Sequence, residues 1–366
     1  MPARTIPRSA IALAAALLLA CGRDAKPPTV PEFRITDGVA KLVVPDVPVP
    51  LALRTYDGSG QAVHPDYAAP GARWPQQLFY LAITPYAWGG TKNENPSLYA
   101  SADGVAWGAA PRAPMPLARP QEGHLSDPDV AYDPDRNELL LYYRQAGAVD
   151  RIFLKRSKNG AFWSPPVALF DGAPNSVLSP AIVQRATGDY RMWSVNGGAA
   201  GCRGDSTSVE WRHSTDGEHW SAPEAVNLPV PPGQFAWHID VQWIPEREEY
   251  WAVFPVKAPM TCATTAVFLA TSTDGVTWHT VSSPVMRAGV IPELRDIVYR
   301  STFAYNAQTD IVTLWYSGAR FDGERYTWRL AAQQRTRREL LEVDAMEAAA
   351  TIPRARSRVR STFDPP

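Results

Sequence analysis

Cysteine is scarce in this chain, with three residues in 366. So few cannot staple a domain of this size, which excludes a disulfide-dense scaffold and leaves the holding to a hydrophobic core. No apolar run reaches the ~20 residues that a membrane-spanning helix needs. The run from Ile11 to Leu19 is of leader length only. Charge of one sign is not in excess either. The 36 Lys and Arg stand against 37 Asp and Glu, a formal net charge of −1, and a nucleic-acid binder would show a basic face. Long amphipathic helical patterns are also missing, apart from a short stretch around Glu339 to Ala350 near the basic, proline-containing end.

The N-terminus is organised for export. Arg4 and Arg8 precede the apolar run, and Leu18-Leu19-Ala20-Cys21 closes it. That tetrapeptide resembles the lipobox of bacterial lipoproteins. The resemblance implies a signal peptide over residues 1–20, acylation of Cys21 and, with Gly22 following, placement at the outer membrane or cell surface. Residues 21–32 then read as a tether. Export puts Cys202 and Cys262 in an oxidising compartment, where they are expected to pair.

What the chain has in abundance is repetition. Ser-x-Asp-Gly-x-x-Trp occurs at Ser101 to Trp107, Ser214 to Trp220 and Ser272 to Trp278, with a variant at Ser157 to Trp163. Asp-Gly and Asn-Gly after an alternating apolar run signal a tight hairpin. The aspartate should satisfy turn amides and the Trp should pack between sheets. Five strand entries recur about 60 residues apart: His64-Pro65-Asp66, Asp127-Pro128-Asp129, Ser179-Pro180-Ala181, His238-Ile239-Asp240 and Arg300-Ser301-Thr302. Each is followed by a second hydrophobic strand. This pattern predicts an all-β, five-bladed β-propeller of about four antiparallel strands per blade over residues 33–335, followed by a short helix and tail over 336–366. Phe33 to Val44, with its strand pattern at Val39 to Val44, is the candidate for closing the ring. Aligning the third and fourth units sets Cys202 and Cys262 in corresponding loops of neighbouring blades.

Inner strands of a propeller line its axis, so the five entries should converge on one funnel. Strand alternation places positions one and three of each entry on a shared face. The expected ring is His64, Asp66, Asp127, Asp129, Ser179, His238, Asp240 and Arg300, a charged set that is costly to bury without a partner or a ligand. Arg144, ending a second strand, is a further anion-binding candidate, and Trp193 and Trp237 are candidate stacking platforms. Glu94 and Glu293 lie in segments that could reach the rim. No metal is assigned, although two imidazoles among carboxylates admit a divalent ion such as Ca²⁺.

The blade pattern, the Asp127-Pro128 entry, the turn motifs and Trp237-His238-Ile239-Asp240-Val241 together resemble the five-bladed glycosidase superfamily of arabinanases, xylosidases and invertases, over about Val63 to Gln333. The resemblance implies a surface-anchored glycoside hydrolase acting on an extracellular or envelope polysaccharide. Those enzymes carry aspartates on the first two blades and a glutamate on the third. Asp127 matches the second-blade aspartate, His64 and Asp66 stand at the first, and Ser179-Pro180-Ala181 at the third has no glutamate. Asp127 and Asp240 are therefore the expected acting carboxylates, with Asp66 or Glu94 as the complementary acid or base. His64, His238 and Arg300 would orient the sugar. Carbohydrate is the expected partner of a tethered monomer, with membrane contact through the lipid alone and no nucleic acid. The open alternatives are a non-catalytic glycan-binding propeller, a phosphorylase-like or lyase-like enzyme, and a structural envelope protein.

Overall fold

The computed structural model describes residues 40–341. The expected leader, Cys21, the tether, part of the expected closing strand and most of the tail lie outside those residues. No helix among the described residues is long and apolar enough to cross a membrane.

Five antiparallel sheets form the blades of a β-propeller. Their inner strands are Ala62–Ala68, His124–Asp133, Leu178–Ala186, Asp240–Ile244 and Ile297–Asn306, in chain order around the ring. Blade five takes its outermost strand from the N-terminal side: Val49–Pro50 pairs with Ala331 and Ala332. Closure thus comes a few residues later than the Val39 to Val44 pattern suggested. The physical reason is Pro50, which has no N–H and suits a sheet edge. Earlier in the chain, Lys41 and Val43 instead donate their amides to the carbonyls of Ala102 and Asp103 in the first blade's turn, at 2.7 and 2.9 Å. A short helix runs over Arg337–Leu341; most of the helical stretch expected around Glu339 to Ala350 lies outside the described residues.

The core is not one mass. Hydrophobic clusters lie between successive blades, such as that of Trp193, Tyr250 and Trp278 between the third and fourth. The turn motif feeds these clusters. Asp103 Oδ1 accepts the amides of Val105 and Ala106, each at 2.8 Å, and Trp107 Nε1 closes on Gly104 O at 2.9 Å. A large side chain on the preceding blade then donates to the same turn glycine: Trp315 to Gly104 O, Tyr142 to Gly217 O and Trp193 to Gly275 O, at 2.9, 2.9 and 2.8 Å. Gly104 has φ +77, and a Cβ there would stand 2.6 Å from Leu42 and 3.2 Å from Trp315. Glycine is therefore required for both the conformation and the approach.

Candidate active site

At four of the five entries the pairing register slips, between Val63 and Asp66, Ser126 and Asp129, Leu178 and Ala181, and Val298 and Ser301. These are β-bulges, and they reverse the expected alternation. In three of them the first residue takes left-handed backbone: His64 at φ 55, Asp127 at 51 and Ser179 at 49. Each costs about 1–2 kcal/mol for a residue with a Cβ. Such residues persist where their surroundings fix them, typically at functional sites. Positions one and three consequently separate into two layers along the axis.

The upper layer opens to solvent as a cavity of about 370 Å³, lined among others by His64, Glu94, His124, Asp127, Arg144 and His238. Asp127 is at its centre. His64 Nε2 lies 3.6 Å from Asp127 Oδ1, His238 Nδ1 3.2 Å from the same oxygen, and Arg144 Nη1 3.7 Å from Oδ2. Burial alone would push this carboxyl up, but His64, His238 and Arg300 hold it well below the ordinary carboxylate range. Glu94 stands behind the cluster, with Oε1 3.2 Å from His64 Nδ1 and Oε2 3.5 Å from His124 Nε2. Burial, opposed by His64, pushes Glu94 up. His124 is pushed down by burial and then by Arg144, so its imidazole is neutral at neutral pH.

Ser179 Oγ lies 2.5 Å from His238 Nδ1 and 3.0 Å from Asp127 Oδ1. This is not a nucleophilic triad, because serine and aspartate meet the same ring nitrogen and Ser179 is fully buried. Its effect is to fix the ring, leaving His238 Nε2 buried without a partner. Trp237, Tyr299 and Tyr86 supply aromatic wall. Trp237 Nε1 donates to Tyr299 Oη at 3.1 Å, and Tyr299 packs edge-on to His238 with ring centroids 4.4 Å apart.

The lower layer holds Asp66, Asp129 and Asp240, all buried and close enough for one oxygen of each to lie within 4.8 Å of the others. Their first task is to join blades. Asp66 Oδ2 accepts Val130 N at 2.6 Å, Asp129 Oδ1 accepts Ile182 N at 3.0 Å, and Thr302 Oγ1 accepts Tyr67 N at 3.2 Å. Asp240 meets the Thr302 hydroxyl. Position three thus bonds the next blade around the ring, except at the third blade, where Ala181 offers no side-chain acceptor. Burial raises Asp66 and Asp129 well above the ordinary carboxylate range and Asp240 to about 6, with Arg300 opposing it in each. Arg300 lies between the layers, 3.4 Å from Asp66 Oδ1 and 3.8 Å from Asp127 Oδ1.

The structure therefore gathers His64, Glu94, Asp127, Arg144, Trp237 and His238 around the cavity. Asp66, Asp129 and Asp240 belong to the inter-blade layer beneath it, the first two because the bulges turn position three away from the mouth, and Arg300 lies between that layer and Asp127. Trp193 is sealed between blades three and four, with its indole bonded to Gly275 O. Glu293 sits in a short 3-10 turn, Pro292–Leu294, and does not line the cavity. Cys202 and Cys262 form the expected disulfide, Cα to Cα 4.8 Å. The sequence reading missed His124, Tyr86, Tyr299 and Asn175. Of these, His124 carried a signal, since it opens the same strand as Asp127.

No protein-family model matches the chain. It is 28% identical over 316 residues to the A type blood N-acetyl-α-D-galactosamine deacetylase of Flavonifractor plautii, a match covering 72% of this chain. The chain spans about 40% of that relative's length. Among solved structures, an N-acetylgalactosamine deacetylase from F. plautii in complex with blood group B trisaccharide superimposes with a TM-score of 0.73 at 23% identity, covering 82% of this chain and 98% of that one. A thermostable family-43 glycoside hydrolase gives 0.56 at 13% identity, covering 80% and 92%. The Penicillium chrysogenum α-L-arabinanase complexed with arabinobiose gives 0.52 at 12%, covering 80% and 98%. The fold is the five-bladed propeller of these proteins.

Proposed function

We propose that this propeller is a carbohydrate-directed hydrolase that removes the acetyl group from an N-acetylated amino sugar, using a divalent cation held by His64, Asp127 and His238. The observation that carries this reading is the donor set. One ligand atom from each of the three buried side chains lies within 4.8 Å of the others. His238 Nε2 has no partner. Glu94 and Thr84 hold His64 Nδ1, at 3.2 and 3.0 Å, which turns Nε2 toward Asp127. A carboxylate behind a histidine is the arrangement that orients imidazole ligands. A divalent cation there would supply Lewis-acid polarisation of the acyl carbonyl and of the attacking water.

The chain's own residues account for the rest. His124, neutral and at the cavity surface, can take the proton of the attacking water and return it to the leaving amine, with Glu94 fixing its ring. Trp237 and Tyr299 present apolar faces to a sugar ring. At about 370 Å³ the cavity lies at the small end of ligand pockets, which suits one terminal sugar rather than a chain. The similarity to proteins named as deacetylases supports the same chemistry.

A second reading, cleavage of the glycosidic bond itself, is favoured by the opposed environments of Glu94, pushed up, and Asp127, held down, since an acid and a base pushed apart is what glycoside cleavage uses. Product analysis separates the two. With N-acetylated oligosaccharides, the deacetylase reading expects acetate without new reducing ends, abolished by a chelator and restored by divalent metal. New reducing ends that persist in chelator would instead select the glycosidase.

Export and acylation at Cys21, with tethering at the cell surface, complete the proposal. Its support is the leader pattern together with a disulfide in the folded domain, which belongs to an oxidising compartment.

A further inference from the structure

Trp88 departs from the other large indoles of this protein. Trp74, Trp193, Trp251 and Trp315 are fully buried, whereas Trp88 is 47% exposed. It also has left-handed backbone, φ 52, a conformation that a bulky residue rarely adopts and that glycine would adopt without cost. Exposure removes about half of the gain from burying an indole, and the backbone strain offsets much of the rest, so what the residue presents to solvent is left to explain it.

Its place is the loop beside the cavity, which Trp88 itself does not line. Trp88 lies between Tyr86 and Thr91, which with Glu94 line the cavity. The loop is pinned: Trp88 N donates to Gln61 Oε1 at 3.1 Å, and the same oxygen accepts Trp328 N at 3.0 Å. Across the rim, the blade-five hairpin brings the exposed Arg325 over the indole, 4.4 Å from the guanidinium carbon to the ring centroid. Phe321, 38% exposed, packs on Tyr326 at 5.0 Å on the same hairpin. Tyr86 continues the aromatic surface inward by packing edge-on to Trp328 at 5.2 Å.

We infer that Trp88, with Arg325 and Phe321, forms an outer carbohydrate subsite that holds the part of a glycan lying beyond the sugar in the cavity. The cavity takes one sugar, so the remainder of an oligosaccharide must leave by the mouth, and this loop forms both the mouth and the platform. Arg325 covers one face of the indole; the C–H face of a pyranose can lie on the other while its hydroxyls stay in water, and the guanidinium keeps N–H donors for hydroxyls elsewhere on the same glycan. The inference rests on the reading that the cavity takes a terminal amino sugar.

The test compares a methyl N-acetylhexosaminide with a trisaccharide carrying the same terminal sugar, on wild type, Trp88→Ala and Trp88→Gly. The ratio of trisaccharide to monosaccharide kcat/KM should fall about tenfold in both variants through the trisaccharide KM, the scale of one aromatic contact. Trp88→Gly should melt at or above the wild-type temperature. An unchanged ratio overturns the subsite. If wild type releases no acetate from either sugar, the deacetylase reading fails by itself. Retention of the trisaccharide in affinity electrophoresis then decides the subsite: loss in Trp88→Ala sustains it, and equal retention, or none by wild type, overturns it.

Discussion

Asp127 and Asp129 stand on one strand, separated by a proline, and their environments are opposite. Asp127 turns up through left-handed backbone into a ring of imidazoles and guanidinium groups, which hold it ionised. Asp129 turns down, accepts Ile182 N and faces Asp240, and burial favours its protonated form. The contrast teaches that on a bulged inner strand the chemistry of a carboxylate is set by the direction it faces, not by its type. Asp127→Asn should lower acetate release by on the order of 10³-fold, the scale seen when a group that stabilises the reacting charge is lost. Asp129→Asn keeps the acceptor for Ile182 N and replaces a carboxyl that burial favours in its neutral form with a neutral amide of the same shape, so activity should stay within about threefold, with melting nearly unchanged. Equal losses in the two variants, measured beside circular dichroism, would erase the distinction between the layers.

Glu94 tests the upper layer one step removed from its centre. Glu94→Gln should cost 10–100-fold in metal affinity or activity, as is usual when the group behind a ligating histidine is altered. Chelator titration alongside kcat/KM reads both. The smallest effect sharpens the lower layer. Asp240 at about 6, with Asp66 and Asp129 also raised, binds protons in the folded state that the unfolded chain releases near pH 3.8. This contribution to stability is full below about pH 4 and is lost as pH rises through about 6. Between pH 4 and 7, wild type should lose a few degrees of melting temperature relative to Asp240→Asn. Parallel curves for the two proteins would count against protonation in this layer.

The sequence was informative where chemistry is local. The turn motifs could be read because the bonds of Ser101, Asp103 and Trp107 close within one hairpin, Ser101 on Asp103, Asp103 on the Val105 amide and Trp107 on Gly104 O. The five strand entries could be located for the same reason. Their facing could not, since a bulge depends on pairing with a second strand, and so Asp66 and Asp129 were grouped with Asp127. Trp193 looked like a sugar platform because nothing in its own strand shows that Gly275, on another blade, takes its indole proton. His124 and Tyr299 were overlooked because a side chain's neighbours across the funnel are set by closure of the ring. Glu94 was legible only as a carboxylate within reach; its two histidine partners are a tertiary fact.

Ala181 gives the inner ring a missing rung. Every other blade sends a position-three side chain to its neighbour, while the seam from the third blade to the fourth has none. The disulfide joins this same pair of blades, between the loops that carry Cys202 and Cys262, and Lys257 Nζ and Met260 N both reach across to Gly204 O, each at 3.0 Å. At the inner ring this joint is held instead through position one, Ser179 Oγ against His238 Nδ1 at 2.5 Å, and it is laced from above by the disulfide. That joint separates Asn175 and Leu178 from Trp237 and His238, so the lacing also sets the width of the cavity.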